Sequence, residues 1–388
     1  MRIAKVDCRL VQVPYRVPHR MAPGTSRFLR RVLVFIETDE GVTGVGETGT
    51  TIPERGGETM ESIYFAIKRY LAPRIIGMDP FRITQIIDRL ESSHWGRTGF
   101  LCSKCAIDNA LYDIVGKTTG RSVAELLGGV NRTRFGVSRS LGVKSPPEMA
   151  ADAIRLKERG YAMLTVKAGF DPREDIERLA AVRDAVGSGY PLEVDVNGGY
   201  LIETAVKTLR KMSRYDIEAV EQPLPWWDLS GMAKLRRAID IPITADESAW
   251  TPQDVIALAK AEAADTICIK PIKNGGLYLS RRIAETADAC GMGVLMGSKH
   301  PLSPGTSALR HFAAAIPGMH PILGYGAPEE RFAGDIVTRP LTLNEDGSVD
   351  LPEGPGFGIE VDAAQLDRHA LHESSLLDPP PAEEAGDE

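Results

Sequence analysis

Five short apolar runs in this chain end in a charged residue, at nearly even spacing. They are AMLTVK ending at Lys167, PLEVD at Asp195, IEAVE at Glu221, IPITAD at Asp246 and DTICIK at Lys270. The charges lie 28, 26, 25 and 24 residues apart, about one strand–helix unit each. Runs this short and this rich in β-branched residues suit parallel strands buried on both faces. FGVSRSLGV precedes them and MGVLMGS follows. Helix starts separate the runs. Ser145-Pro146-Pro147-Glu148, Asp171-Pro172-Arg173-Glu174 and Thr251-Pro252-Gln253-Asp254 each offer an N-cap residue followed by proline, with the full capping-box pattern in the first two. Gly160 and Gly187 stand where left-handed C-caps are wanted. Seven or eight such units in about 200 residues predict a (β/α)8 TIM barrel rather than a short doubly wound sheet.

Residues 1–130 read differently, as an α+β capping domain. Two strand-like stretches come first, RIAKVDCRLVQVP and RRVLVFIETDEGVTGVGE, the second containing the hairpin signal TDEGVTG, and three helices follow. The barrel domain is expected over 131–325, with 326–372 completing barrel and cap. Residues 373–388 hold six acids and no Lys or Arg, are proline-rich, and read as a disordered tail. Removing them takes the formal charge from −7 to about −1, so acidity says little about partners. No basic run suggests nucleic acid, and no apolar stretch approaches the roughly 20 residues of a membrane span. The N-terminus has no signal-peptide core, and the reading is a cytoplasmic protein. Five scattered cysteines argue against a disulfide framework. Cys102 and Cys105 form a CxxC without a partner pair, and their spacing fits one helix face.

In a barrel, residues at the C-terminal strand ends converge on one mouth. For one acid a salt bridge to a helix would be the simpler reading. Three acids in register on neighbouring strands, Asp195, Glu221 and Asp246, need a counter-charge. Oxygen-only ligands favour a hard cation, and Mg²⁺ fits, with Mn²⁺ as an alternative. Asn197 shares the strand face of Asp195 and is expected to orient it. Glu247 has the opposite parity to Asp246, placing it behind the ligands or outward. Lys167, an ammonium at the end of an apolar run, must be paired or put to use.

AIDNALYDIVGKTTGRSVAELLGG, KAG, DVNGG, EQPL, ADES and IKPIKNGG together resemble the enolase superfamily, within it the muconate lactonizing subgroup of the mandelate racemase/muconate lactonizing enzyme family. The resemblance covers residues 1 to about 325. It implies an α+β cap over a modified barrel, a divalent metal on Asp195, Glu221 and Asp246, Lys167 as the strand-two base and Lys270 as the strand-six acid/base. Lys273 falls at a helix approach and is left out. The expected assembly is a homo-oligomer, a dimer or an octamer.

Two departures bear on specificity. Relatives in this subgroup usually carry a lysine two residues before the base, where this chain has Thr165. They often carry an acid after strand seven, where this chain has GSKHPLSPG with Lys299 and His300. Lys299 and His300 are therefore candidates for binding an anionic or polar group at the far end of the substrate. From the cap, Tyr15, His19, Met21, Arg27 and Phe28 are candidate lid residues. Trp226 and Trp227 either stack on substrate or, by preference, pack in a core or interface.

The resulting expectation is a Mg²⁺-dependent racemase or epimerase that removes the proton alpha to the carboxylate of a small-molecule substrate. Muconate-type cycloisomerisation and acid dehydration fit the same lysine–metal–lysine pattern. A Schiff-base barrel aldolase is the reading from another class, and the three carboxylates argue against it.

Overall fold

The computed structural model describes residues 1–21, 24–50, 57–91 and 99–376, without the side chains of 18–21, 24 and 25. Eight parallel strands close on themselves: β4 (Arg134–Leu141), β5 (Met163–Lys167), β6 (Leu192–Asp195), β7 (Ala219–Glu221), β8 (Ile243–Ala245), β9 (Thr266–Ile269), β10 (Gly293–Met296) and β11 (Met319–Leu323). Each pairs with the next. Ile322 and Leu323 of β11 pair with Gly136 and Val137 of β4, so no edge is left open. The barrel expected from the sequence is therefore present, and a short antiparallel strand, Val349–Asp350, lies beside β4.

The outward strand residues, such as Leu164, Val166, Val194, Val220 and Ile243, are buried under the helices and build one continuous core. The helix starts follow local chemistry. Asp171 accepts from the N–H groups of Arg173 and Glu174. Reciprocal boxes form at Ser145–Glu148 and at Thr251–Asp254. The second is a difference from expectation: Asp254 closes a box with its shorter side chain, whereas Glu174 does not.

The cap is an antiparallel sheet of β1 (Ile3–Met21), β2 (Gly24–Thr38) and β3 (Thr43–Thr48), extended by Ala370–Leu371 beside β1. Both faces are buried. Leu10, Val32, Val34 and Ile36 face the cap helices, while Val11, Val13 and Leu33 pack with Leu302, Tyr325 and Phe332. Helix Leu101–Thr119 is buried almost throughout and lies on β3. Gly44 and Gly46 permit that approach: a Cβ at either would come within about 2 Å of the Ala110 or Ala106 carbonyl oxygen. Cys102 and Cys105 lie inside this helix, and no disulfide joins any of the five cysteines.

Glu373–Leu376, counted with the disordered tail on sequence grounds, form a 3-10 turn instead. Leu376 is buried against the cap core, and Glu373 bonds Lys68 at 2.7 Å and Tyr64 at 3.0 Å. An apolar anchor and a charge partner outweigh the composition of that stretch. No helix among the described residues is long and apolar enough to cross a membrane.

Candidate active site

Strand register brings the charged residues together. Lys167 pairs across the sheet with Asp195, and Asp195 with Glu221. Asp246 and Lys270 follow at the ends of β8 and β9. The order around the mouth is thus Lys167, Asp195, Glu221, Asp246, Lys270 on five consecutive strands. In a ring of eight, β5 and β9 are four strands apart, so the two lysines stand on opposite walls with the acids on the arc between them.

Lys167 donates to Asp195 and, at 3.0 Å, to the Asn197 side-chain carbonyl. Asn197 also gives its backbone N–H to Asp195 Oδ1 at 2.9 Å and its amide to Glu247 at 3.1 Å. Its φ of +47° turns the chain so that all three contacts fit. Glu247 therefore reaches the site from behind Asn197 rather than pointing outward. On the far wall Lys270 donates to Asp246 Oδ2 at 2.5 Å and Glu221 Oε1 at 3.3 Å. Gly297 makes room for it, because a Cβ there would lie 2.3 Å from Lys270 Cε.

Lys273, which the sequence reading left out, belongs to the cluster. It is buried and donates to Asp246 Oδ1 at 2.8 Å and to the Asp246 carbonyl at 2.7 Å. The short helix Pro271–Asn274 turns it back under the mouth. The signal was its place three residues after Lys270, one helical turn away.

Electrostatics follow from this crowding. Burial and the charges of Asp195 and Asp246 push Glu221 well above the usual carboxylate range, against the pull of Lys270. Asp246 is held well below that range: burial opposes this, but Lys270, Lys273 and Lys299 outweigh it. Against their own burial, both lysines are held above the ordinary lysine value, Lys270 chiefly by Asp246 and Lys167 chiefly by Asp195 and Glu221. Thr165 does not face the mouth alone. Its hydroxyl donates to buried Glu193 at 3.1 Å, one layer below the site.

The candidate specificity residues scatter. Lys299 lines a small cavity with Lys270, Ser298 and the cap residues Glu47, Cys105 and Asn109. His300 is not part of that lining. Its ring stacks edge-on against Tyr325 at 5.2 Å. Tyr15 packs on Phe332, Phe28 and Arg27 are exposed, and the side chains of His19 and Met21 lie outside the described residues. Trp226 and Trp227 do not pack in a core: they are 56% and 64% exposed on the loop after β7. That loop turns on Gln222, Leu224 and Ser248, which leaves the indoles outside.

The donors suit a hard divalent cation. Glu221 and Asp246 carry oxygens within 4.8 Å of each other and of Cys268. Burial pushes the Cys268 thiol well up, so it stays protonated and the carboxylates are the ligands on offer. Asp195 adjoins Glu221 in register and raises it by its charge.

A capped parallel barrel with lysines and carboxylates on its strand ends is the architecture of an enzyme acting at the barrel mouth. Residues 4–128 match the mandelate racemase/muconate lactonizing enzyme N-terminal domain, and residues 148–365 match the enolase C-terminal domain-like model. The N-succinyl-L-Arg/Lys racemase of Bacillus cereus is 31% identical over 375 residues, 94% of this chain and 97% of that protein. Its crystal structure superposes with a TM-score of 0.89, covering 96% of this chain and 99% of that one. Muconate cycloisomerase 1 of Rhodococcus opacus is 32% identical over 93% of this chain and 96% of its own length. A dipeptide epimerase from Enterococcus faecalis, crystallised with Mg and L-Leu-L-Tyr, is 30% identical with a TM-score of 0.86 over 93% of this chain and all of that one. The chain belongs to the mandelate racemase/muconate lactonizing enzyme family of the enolase superfamily, and it is an isomerase of that group.

Proposed function

We propose that this protein is a Mg²⁺-dependent racemase or epimerase that exchanges the proton alpha to a substrate carboxylate. The carrying observation is the placement of Lys167 and Lys270 on opposite walls, with the three acids on the arc between. A carbon held there has one amine on each face. Asp195, Glu221 and Asp246 would hold the cation. Bound there, Mg²⁺ would stabilise the charge that develops on the substrate carboxylate and offset the acids that hold the lysines protonated.

Lys167 takes the proton from one face and Lys270 returns one to the other. Asn197 orients Lys167 through its side-chain carbonyl, and the Glu247 contact keeps that amide from rotating. Lys273 fixes Asp246 from below, leaving Lys270 the more movable partner. The buried lower layer of Thr165 and Glu193 closes the barrel beneath the reacting groups.

The test is alpha-proton exchange in D₂O, followed by NMR on racemic alpha-substituted carboxylates. Exchange should stop on chelation and return with added Mg²⁺. Lys167→Ala and Lys270→Ala should each retain exchange for one enantiomer only. Full exchange in chelated protein, or loss of both enantiomers' exchange in both variants, would refute the two-base reading.

A further inference from the structure

The three N–H groups that follow Lys167 along the chain are all held. Ala168 donates to the Asp195 carbonyl at 2.9 Å. Gly169 and Phe170 both donate to Oδ2 of Asp175, at 3.0 and 3.2 Å. Asp175 lies in the first turn of helix Pro172–Val186, where Asp171 already serves the N–H groups of Arg173 and Glu174. The Asp175 carboxylate is therefore spare for the loop. It is fully buried and takes two further donors: Tyr200 gives its hydroxyl to Oδ2 and Arg178 a guanidinium N–H to Oδ1, each at 2.5 Å. Four donors satisfy a buried charge that would be costly without them.

Tyr200 brings a second loop into this contact, the one after β6 that also carries Asn197. The two loops touch glycine to glycine. A Cβ at Gly199 would strike the Gly169 carbonyl oxygen, and one at Gly169, where φ is +98°, would strike that of Val196. The loop after Lys167 is thus pressed against its neighbour and pinned from behind by one carboxylate. The hydrogen bonds of the Asp175 side chain all stay on this wall, at Gly169, Phe170, Arg178 and Tyr200. Lys270 has its own anchor on the opposite wall, where its N–H goes to the side-chain carbonyl of Asn274 at 2.8 Å. The two lysines are held by separate devices.

We infer that Asp175 is a positioning residue for Lys167 alone, holding the chain after β5 so that the ammonium stays aimed at one face of the substrate carbon. This rests on the two-base reading proposed above. A misplacement of about 1 Å can cost on the order of 10²-fold in rate. Lys167 keeps its contacts with Asp195 and Asn197 when the Asp175 carboxylate is gone, so the expected loss is smaller, about tenfold. It falls on the enantiomer whose proton Lys167 removes and spares the other. An acid that only stabilised the fold would cost both alike.

Single-lysine backgrounds read the two faces apart. In Mg²⁺-loaded Lys270→Ala protein only exchange through Lys167 remains, and in Lys167→Ala only exchange through Lys270. The probe is the alpha-substituted carboxylate that exchanges fastest in the D₂O assay, each enantiomer offered separately. Adding Asp175→Ala should lower exchange about tenfold in the first background and less than about twofold in the second. Asp175→Asn keeps an acceptor for the two amides but takes the charge from Arg178, so it should lower the urea midpoint yet restore most of the exchange. Tyr200→Phe should show the same asymmetry at about threefold, and it carries the test if Asp175→Ala does not fold. Equal losses in both backgrounds, or none in the first, overturn the inference. Loss of both enantiomers' exchange in both single-lysine variants would overturn the two-base reading instead. Hydrogen-exchange mass spectrometry needs no substrate: Asp175→Ala should deprotect residues 168–170 and leave 271–274 as in wild type. Unchanged protection of 168–170 also overturns the inference.

Discussion

Buried acids are concentrated in two regions, the cap–barrel seam and the barrel mouth, and they are partnered differently. At the seam each carboxylate receives backbone N–H groups. Asp113 accepts from Val45 and Phe357 as well as Lys117, Asp108 from Leu277 and Tyr278, and Glu47 from Leu302 and Gly305. At the mouth Glu221 takes its hydrogen bond from Lys270, and Asp246 from Lys270 and Lys273. Asp195 takes Lys167 and the Asn197 N–H. A backbone amide cannot leave or change protonation, whereas an ammonium can do both. The seam acids are committed to holding elements together, and the mouth acids keep their oxygens available.

The comparison can be broken by substitution. The largest effect should come from the lysine pair. Lys167→Ala or Lys270→Ala should lower interconversion by roughly 10³-fold, in line with removal of a general acid–base group, while leaving the melting temperature near wild type. Asp246→Asn should come next, weakening Mg²⁺ binding and lowering turnover on the order of 10²-fold. Stability of the metal-free protein should fall as well, because Lys270 and Lys273 lose the charged carboxylate they share. Turnover at saturating Mg²⁺ that stays near wild type would put Asp246 among the seam acids.

Asp113→Ala should differ in its effect on turnover. Metal-saturated turnover should hold, while stability should fall by about 3 kcal/mol, since two buried amides and an ammonium lose their acceptor. Turnover at saturating Mg²⁺ for this pair of variants, measured beside their urea midpoints, tests the distinction directly.

The smallest effect concerns His311, also at the seam, which accepts from the Ala124 N–H at 3.3 Å. Burial pushes it down from 6.5 to about 4, so the fold favours its neutral form. Its contribution is present above the unfolded value and is lost as pH falls towards the folded one. Between pH 7 and 5 that loss should be about 2 kcal/mol. His311→Gln should flatten the urea-midpoint slope over this window, and an unchanged slope would assign the acid sensitivity to other groups.

The strand-end residues were legible because their positions follow from local repetition. A βα unit has a nearly constant length, and parity along a strand decides which side chain faces inward. Asp195, Glu221, Asp246, Lys167 and Lys270 could thus be placed at one mouth before any contact was known. For Trp226 aromatic character pointed to a core or an interface, and the structure excludes the core, because the loop after β7 is anchored by its backbone and by Gln222. The extent of the tail was misread too, because composition does not register the anchor at Leu376.

What the sequence determined by itself was the barrel, the cap and the row of charges, since periodicity, capping signals and unit length are local properties of the chain. Only the tertiary structure decided that Lys273 holds Asp246, that Glu193 lies beneath Thr165, and that Arg31 and Glu47 clamp the loop of Lys299. Arg31 lies 268 positions from Lys299 in the chain. Partnerships over such separations depend on how the cap settles on the barrel, and no local pattern encodes that geometry.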